Sequence, residues 1–382
     1  MIVLRNLFIY ILPSLILLFH QTECAPLFPQ PNIFLHENIF SELDQFKQKY
    51  SGKFKDNATR QNIPTTIEQA KQIMADIVKQ YMTDYSIPGL VIGLSIRGET
   101  IWTEAFGFKD IENNVPATVD DVWSLASISK PLTSTLIARL AMDGMVDVNA
   151  PITQYLPSDV FPQKKFNGIP VTITLGHVLS HMAGLWPAEF PEDFFFDAEV
   201  YKALNCTESV VRYKDEPLIF APGTSFTYSN YGYQVAGALL EAILGNTFPN
   251  LIREYYGNIL GMSSTFAETL ALFNNRPMYY QNSTGQLKRH DIIDNLVLYE
   301  GWWPSAGMVS TVDDLLYFGN LWLSSYKGLN DSNIDLITNL LFFLTEIIFK
   351  DFLSEEIVRE WWTPRALTEP ISGAQAYGML SP

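Results

Sequence analysis

Ser127 and Lys130 stand three apart at the head of an apolar run in which Leu132, Leu136, Ile137 and Leu140 recur at the spacing of one helical face. Residues i and i+3 are neighbours on a helix, so the Lys130 ammonium is expected beside the Ser127 hydroxyl. A helix start offers unpaired N–H groups and the positive end of the dipole, which favour developing negative charge. A serine held there can lose its proton to a neighbour and attack a carbonyl, with its own N–H steadying the oxyanion. That chemistry is acyl transfer. The spacing recurs in Ser324-Ser325-Tyr326-Lys327, but Gly328-Leu329-Asn330 follows it instead of an apolar helix, and a surface turn is expected there.

Tyr228-Ser229-Asn230 supplies a second set of groups. It follows a Pro222-Gly223 turn and precedes a helix expected from about Tyr231 to Leu244, whose Gly232, Ala236, Gly237 and Ala238 permit close packing. A tyrosine near a lysine ammonium is expected to have a lowered pKa and can act as a general base. The Asn230 amide can donate to a substrate carbonyl. Tyr256-Gly257-Asn258 and Tyr280-Gln281-Asn282 share the spacing without the setting. His177 and His181, four apart on an expected helix, have metal-ligand spacing. No Glu follows the first of them and no third ligand is evident, so both are read as hydrogen-bonded structural imidazoles.

Several elements must position these groups. A capping box at Thr65-Thr66-Ile67-Glu68 opens an amphipathic helix marked by Ile67, Ala70, Met74, Ile77, Val78 and Tyr81. Two strand-like runs, Leu90 to Ile96 and Ile101 to Phe108, face each other across the turn Arg97-Gly98-Glu99. The stretch from Gly301 to Val309 is a tight apolar turn, and Ser310-Thr311-Val312-Asp313 caps another helix. Residues 334–353 are strongly apolar but too short and broken to span a bilayer, so a buried helix or an insert is expected.

At the N-terminus, Arg5 precedes an apolar run from Leu7 to Phe19 that contains Pro13 and ends in Gln21-Thr22-Glu23. This is the layout of a secretory signal peptide over residues 1–24. It implies a secreted or lumenal protein rather than a mitochondrial one, with no membrane span after cleavage. A linker or propeptide-like segment (25–64) and one domain (65–382) are expected to follow. The net charge of −16 over 382 residues argues against nucleic acid as a partner, because phosphate binding needs clustered Lys and Arg. With Cys24 leaving in the leader or becoming the new terminus, Cys206 stands alone and no disulfide is expected. Asn57, Asn205, Asn282 and Asn330 begin glycosylation sequons, and the second of these places Cys206 near the surface.

In chain order, the motifs are the Gly-rich hairpin, Ser127-x-x-Lys130, His177 to Leu185, Pro222-Gly223-x-x-Phe226-x-Tyr228-Ser229-Asn230-Tyr231-Gly232 and Ala306 to Leu315. Together they resemble the class C β-lactamase and penicillin-binding-protein family, and within it the animal serine β-lactamase-like branch. The resemblance spans roughly residues 68–330, with later landmarks at Trp361-Trp362-Thr363-Pro364 and Tyr377-Gly378-Met379. It implies an α+β fold of the β-lactamase/transpeptidase kind. An antiparallel sheet flanked by helices lies beside an all-helical region, with the active site between them. It implies that Ser127 is acylated and that Lys130 takes its proton or holds Tyr228 as tyrosinate. Tyr228 would serve the leaving group and the deacylating water, and Asn230 would orient the substrate amide. The substrate would be a peptide or a small molecule, with no cofactor. The family's third motif, Lys or His, then Ser or Thr, then Gly, has no match downstream of Tyr228. The C-terminal strands that carry it are therefore expected to be missing, leaving the hairpin at residues 90–108 without sheet partners. Two functions follow: a serine hydrolase working through an acyl-enzyme, or a catalytically impaired member acting as a binding or structural protein.

Overall fold

The computed structural model describes residues 67–96, 98–187, 205–268, 275–283, 286–289, 302–327, 352–363, 365–367, 374–375 and 380–381. The expected signal peptide and linker, and Thr65 and Thr66 of the capping box, lie outside these residues. So do the sequons at Asn57 and Asn330 and the apolar stretch up to residue 351. Two compact units divide the chain after Tyr85. Within the first, helix α1 (Ile67–Tyr85) buries Ala75 and Val78, whereas Ile67, Ile73 and Ile77 are exposed. Its apolar stripe is wider than the edge it buries, so the face read from periodicity is only partly the buried one.

The second unit opens with strands β1 (Gly89–Ile96) and β2 (Glu99–Asp110), antiparallel from Gly89 opposite Gly107 to Ile96 opposite Glu99, with a bulge at Leu94 and Ser95. A short strand β3 (Val115–Pro116) adds to β2, so the hairpin does have a sheet partner, contrary to expectation. Next comes β4 (Trp123–Ser124), then a 3-10 turn (Ala126–Ile128) that runs straight into helix α2 (Ser129–Met142). Asp121, fully buried, ties β4 back to the hairpin. It pairs with Lys109 Nζ at 2.6 Å and accepts the Thr118 N–H at 2.7 Å.

Helix α2 is buried on nearly all sides, which is costly for its polar residues unless each finds a partner. Each does. Ser129 Oγ accepts the Met308 N–H, Thr133 donates to the Pro304 carbonyl, and Trp361 Nε1 and Trp322 Nε1 donate to Ser134 and Thr135. Helices α3 (Leu175–Leu179), α4 (Cys206–Tyr213) and α5 (Asn230–Leu244) complete the helical region. A Cβ on Gly237 would come within 2.2 Å of Pro304 and 3.0 Å of Cys206 Sγ, so the small residues of α5 do allow the close approach expected of them. Cys206 is fully buried against α5, not near the surface. Asn205 caps α4 by accepting the Glu208 N–H at 2.8 Å, and the next residue turns inward.

After α5, a short helix (Phe248–Ile252) passes into a π-helical turn (Arg253–Ile259). Strands β5 (Phe266–Ala267) and β6 (Met308–Ser310) then join β4 in a second sheet, with β6 in the middle. Helix α6 (Val312–Lys327) lies on the hairpin. Gly93 makes room for it, because a Cβ there would sit 2.6 Å from Val312. Asn320 fastens the contact through Ser95 Oγ and the Gly98 carbonyl. The second Ser-x-x-Lys occupies the last turns of α6 rather than a surface turn. Helix α7 (Glu355–Trp362) delivers the buried Trp361. Among the described residues no single helix is long and apolar enough to cross a membrane.

Candidate active site

Strand β4 pairs with β6 through Ser124 opposite Val309, and the Leu125 N–H bonds to the Met308 carbonyl at 2.8 Å. The chain is thus fixed immediately before it turns. Ala126 takes a left-handed φ of 46°, and Ser127 follows on the 3-10 turn, half-buried. A non-glycine residue in this region is strained, and such strain persists where the surroundings over-determine the backbone. Ser127 therefore sits one turn before α2, a tighter placement than the helical first turn expected. Lys130 is the second residue of α2 and is buried.

The four residues singled out by spacing meet in one hydrogen-bonded cluster. The Tyr228 hydroxyl lies 2.8 Å from Ser127 Oγ. Lys130 Nζ donates to Ser127 Oγ at 3.3 Å, to Asn230 Oδ1 at 2.8 Å and to the Ser305 carbonyl at 2.8 Å. The ammonium also lies 4.6 Å from the centre of the Tyr228 ring, a cation–π distance. Three acceptors around one nitrogen match the three N–H bonds of an ammonium.

Ser229 caps α5: its Oγ accepts the Gly232 N–H at 3.0 Å and donates to the Trp186 carbonyl at 2.8 Å. Asn230, the first residue of the helix, is held through its N–H by the Pro187 carbonyl at 3.0 Å. The flanking loops thus set the Tyr228-Ser229-Asn230 backbone from outside the helix.

Helix α3 ends at Leu179, so His177 and His181 do not share a helical face. His177 completes a capping box with Thr174, its Nδ1 accepting the Thr174 N–H at 3.3 Å. Burial pushes its pKa below the ordinary histidine value. His181 lies beyond the helix at a φ of 61°, buried, with its ring stacked on Tyr228. Among the described residues no group of three or more His, Cys, Asp or Glu side chains is placed to hold a metal ion.

Three contributors escaped the sequence reading. The Ser305 carbonyl is a backbone atom, and nothing in its residue type announces it. Gln234, fully buried one turn along from Asn230, donates to Ser305 Oγ at 2.6 Å. His181 is expected from the sequence only as a hydrogen-bonded structural imidazole; its Nδ1 does accept a hydrogen bond, from the Ser229 N–H, and its stack on Tyr228 is the contact the sequence does not announce.

The Beta-lactamase family profile matches residues 74–339, and the chain belongs to that family. The human mitochondrial serine beta-lactamase-like protein LACTB is 26% identical over 355 residues, covering 77% of this chain and 62% of the relative. The chain thus spans less than two thirds of that relative's length. Esterase EstB of Burkholderia gladioli is 28% identical over 193 residues, 49% of this chain and 48% of its own. Among solved structures, the octameric penicillin-binding protein homologue from Pyrococcus abyssi superposes with a TM-score of 0.64 at 20% identity, covering 81% of this chain and 64% of that one. EstCE1, a hydrolase with promiscuous acyltransferase activity, gives 0.63 at 20% identity, over 81% and 83%. The fold is the β-lactamase/transpeptidase-like α+β fold, and the family's relatives include serine hydrolases.

Proposed function

We propose that the chain is a serine hydrolase that cleaves an ester, amide or peptide bond through an acyl-enzyme on Ser127. The observation that carries this is the Ser127 hydroxyl held between the Tyr228 hydroxyl and the Lys130 ammonium. Lys130 serves as a fixed cation rather than as the base, since its N–H bonds are spent on Ser127, Asn230 and Ser305. A cation this close favours the phenolate of Tyr228, which takes the Ser127 proton as Oγ bonds to the substrate carbonyl carbon. The same proton passes to the leaving group as its bond to that carbon breaks. Water then attacks the acyl-enzyme ester and gives a proton to Tyr228; the bond from Ser127 Oγ to the acyl carbon breaks, and Tyr228 returns that proton to Oγ. With Oδ1 taken by Lys130, Asn230 presents Nδ2 as the donor to a substrate carbonyl.

The test is a fluorophosphonate probe followed by mass spectrometry of the labelled peptide. The expected adduct is on Ser127 and is lost in Ser127→Ala. A folded, monodisperse chain that takes no label would overturn the hydrolase reading and favour a binding protein that keeps the fold.

A further inference from the structure

His181 touches the Tyr228 ring and the Ser229 backbone N–H, yet nothing in the proposed chemistry uses it. Its ring centre lies 4.4 Å from that of Tyr228, with the planes 28° apart. Its Nδ1 accepts the N–H of Ser229, the residue between the base and the substrate donor, at 3.0 Å. The main chain of His181 is pinned as well: its N–H reaches the Val178 carbonyl at 3.2 Å, and its carbonyl accepts the Thr227 N–H at 3.0 Å. The ring also lies 5.4 Å from Tyr233 and 5.8 Å from Phe226, centre to centre. A left-handed backbone at a buried non-glycine residue is costly, and here it is what aims the ring at Tyr228.

We propose that His181 is a positioning residue for the hydrolytic site: the stack and the Nδ1 acceptor together fix where the Tyr228 hydroxyl and the Asn230 amide point. The inference rests on the hydrolase reading for its kinetic consequence, but not for its geometry. A backbone N–H can only donate, so Nδ1 must carry no proton, which fixes the neutral ring as the Nε2–H tautomer. The ring cannot be replaced by an aliphatic of equal volume without losing the acceptor, nor by an acyclic amide without losing the stack. The separation of these two contributions makes the role testable.

The experiment compares His181→Ala with His181→Asn in the full chain. Asparagine tolerates a left-handed φ and can offer an acceptor where Nδ1 stood, so it preserves the Ser229 bond while removing the ring. Fluorophosphonate labelling of Ser127 is followed against probe concentration. The expected result is a maximal labelling rate lowered about 10²-fold in His181→Ala, with the half-saturating concentration little changed, because a misaimed base slows the step without removing a binding contact. His181→Asn should recover part of the loss. A folded His181→Ala or His181→Asn labelled at the wild-type rate overturns the proposal, and if only asparagine folds, that variant decides. Should the wild type itself take no label, the hydrolase reading falls alone. The positioning role is then read from the alkaline rise in tyrosinate absorbance, taken as the difference between each chain and its Tyr228→Phe counterpart. Its midpoint is expected to move when His181 is replaced, and an unmoved midpoint overturns the proposal.

Discussion

Ser-x-x-Lys occurs twice, and the two copies have opposite fates. At Ser324 and Ser325 the serines lie within α6, and each hydroxyl donates to the carbonyl four residues back: Ser324 to Asn320 at 2.6 Å and Ser325 to Leu321 at 2.9 Å. This is ordinary back-bonding of a mid-helix serine, and it consumes the hydroxyl locally. Ser127 is placed before α2, where the residue four back, Trp123, is paired in β4. No helical carbonyl competes for its hydroxyl, which instead meets Tyr228 and Lys130. The spacing is the same in both copies. What sets the first copy apart is that its serine stands on a turn held by a sheet, facing a second motif about a hundred residues away.

The largest expected effect tests that contrast directly. Ser127→Ala should lower probe labelling by on the order of 10⁴ or more, whereas Ser324→Ala should leave its rate unchanged. Labelling that followed Ser324 would break the distinction. The next effect separates the tyrosines in the same way. Tyr228→Phe removes the proposed proton acceptor and should slow labelling by about 10²–10⁴ with little change in melting temperature. Tyr256 has the same Tyr-x-Asn spacing but is fully buried. Burial pushes its phenol far above the ordinary tyrosine range, and its hydroxyl donates to the Leu132 carbonyl at 2.6 Å. Tyr256→Phe should therefore cost about 1–2 kcal/mol of stability, measured by chemical unfolding, with labelling per folded molecule unchanged. A rate loss in Tyr256→Phe without a stability loss would place that tyrosine in the chemistry.

What the sequence disclosed and what it hid divide along physical lines. Apolar periodicity announced the helix after Lys130, and the Pro-Gly turn followed by small residues announced the one after Tyr228. Both are local signals, and they were enough to bring Ser127, Lys130, Tyr228 and Asn230 to one point once the family resemblance supplied their order. Contacts made by backbone atoms leave no trace in residue type, so the Ser305 carbonyl on Lys130 and the Ser229 N–H on His181 were illegible. Cys206 was misplaced for a related reason. A sequon marks the exposure of its asparagine alone, and one step along a helix start turns the next side chain into the core. Gly328 after Lys327 reads as a turn in the sequence, but α6 runs on to Lys327 and holds Ser324 within the helix.

The smallest effect concerns a second pair of like residues, the buried lysines. Lys130 spends its N–H bonds on a serine, an asparagine and one carbonyl. Lys164 donates to the carbonyls of Lys214 and Glu216 and lies 5.9 Å from the Phe161 ring centre, bracing the end of α4 with no nucleophile in reach of those bonds. Burial holds the Lys164 ammonium below the ordinary lysine range, against the opposing pull of Asp215 and Glu216. The folded value therefore lies below the unfolded one, and between the two the unfolded chain binds more protons. Stability linked to this group must then rise as pH climbs through the folded value toward about 10.5, the sign opposite to that of a lysine stabilised by an ion pair. Against Lys164→Met, the wild type should gain in relative stability over that alkaline window. Labelling of Ser127 should be indifferent to the substitution. A difference in melting temperature that stayed flat with pH would mean that the two carbonyls offset the burial of Lys164 completely. The contrast with Lys130 would then lie in the partners alone and not in the charge.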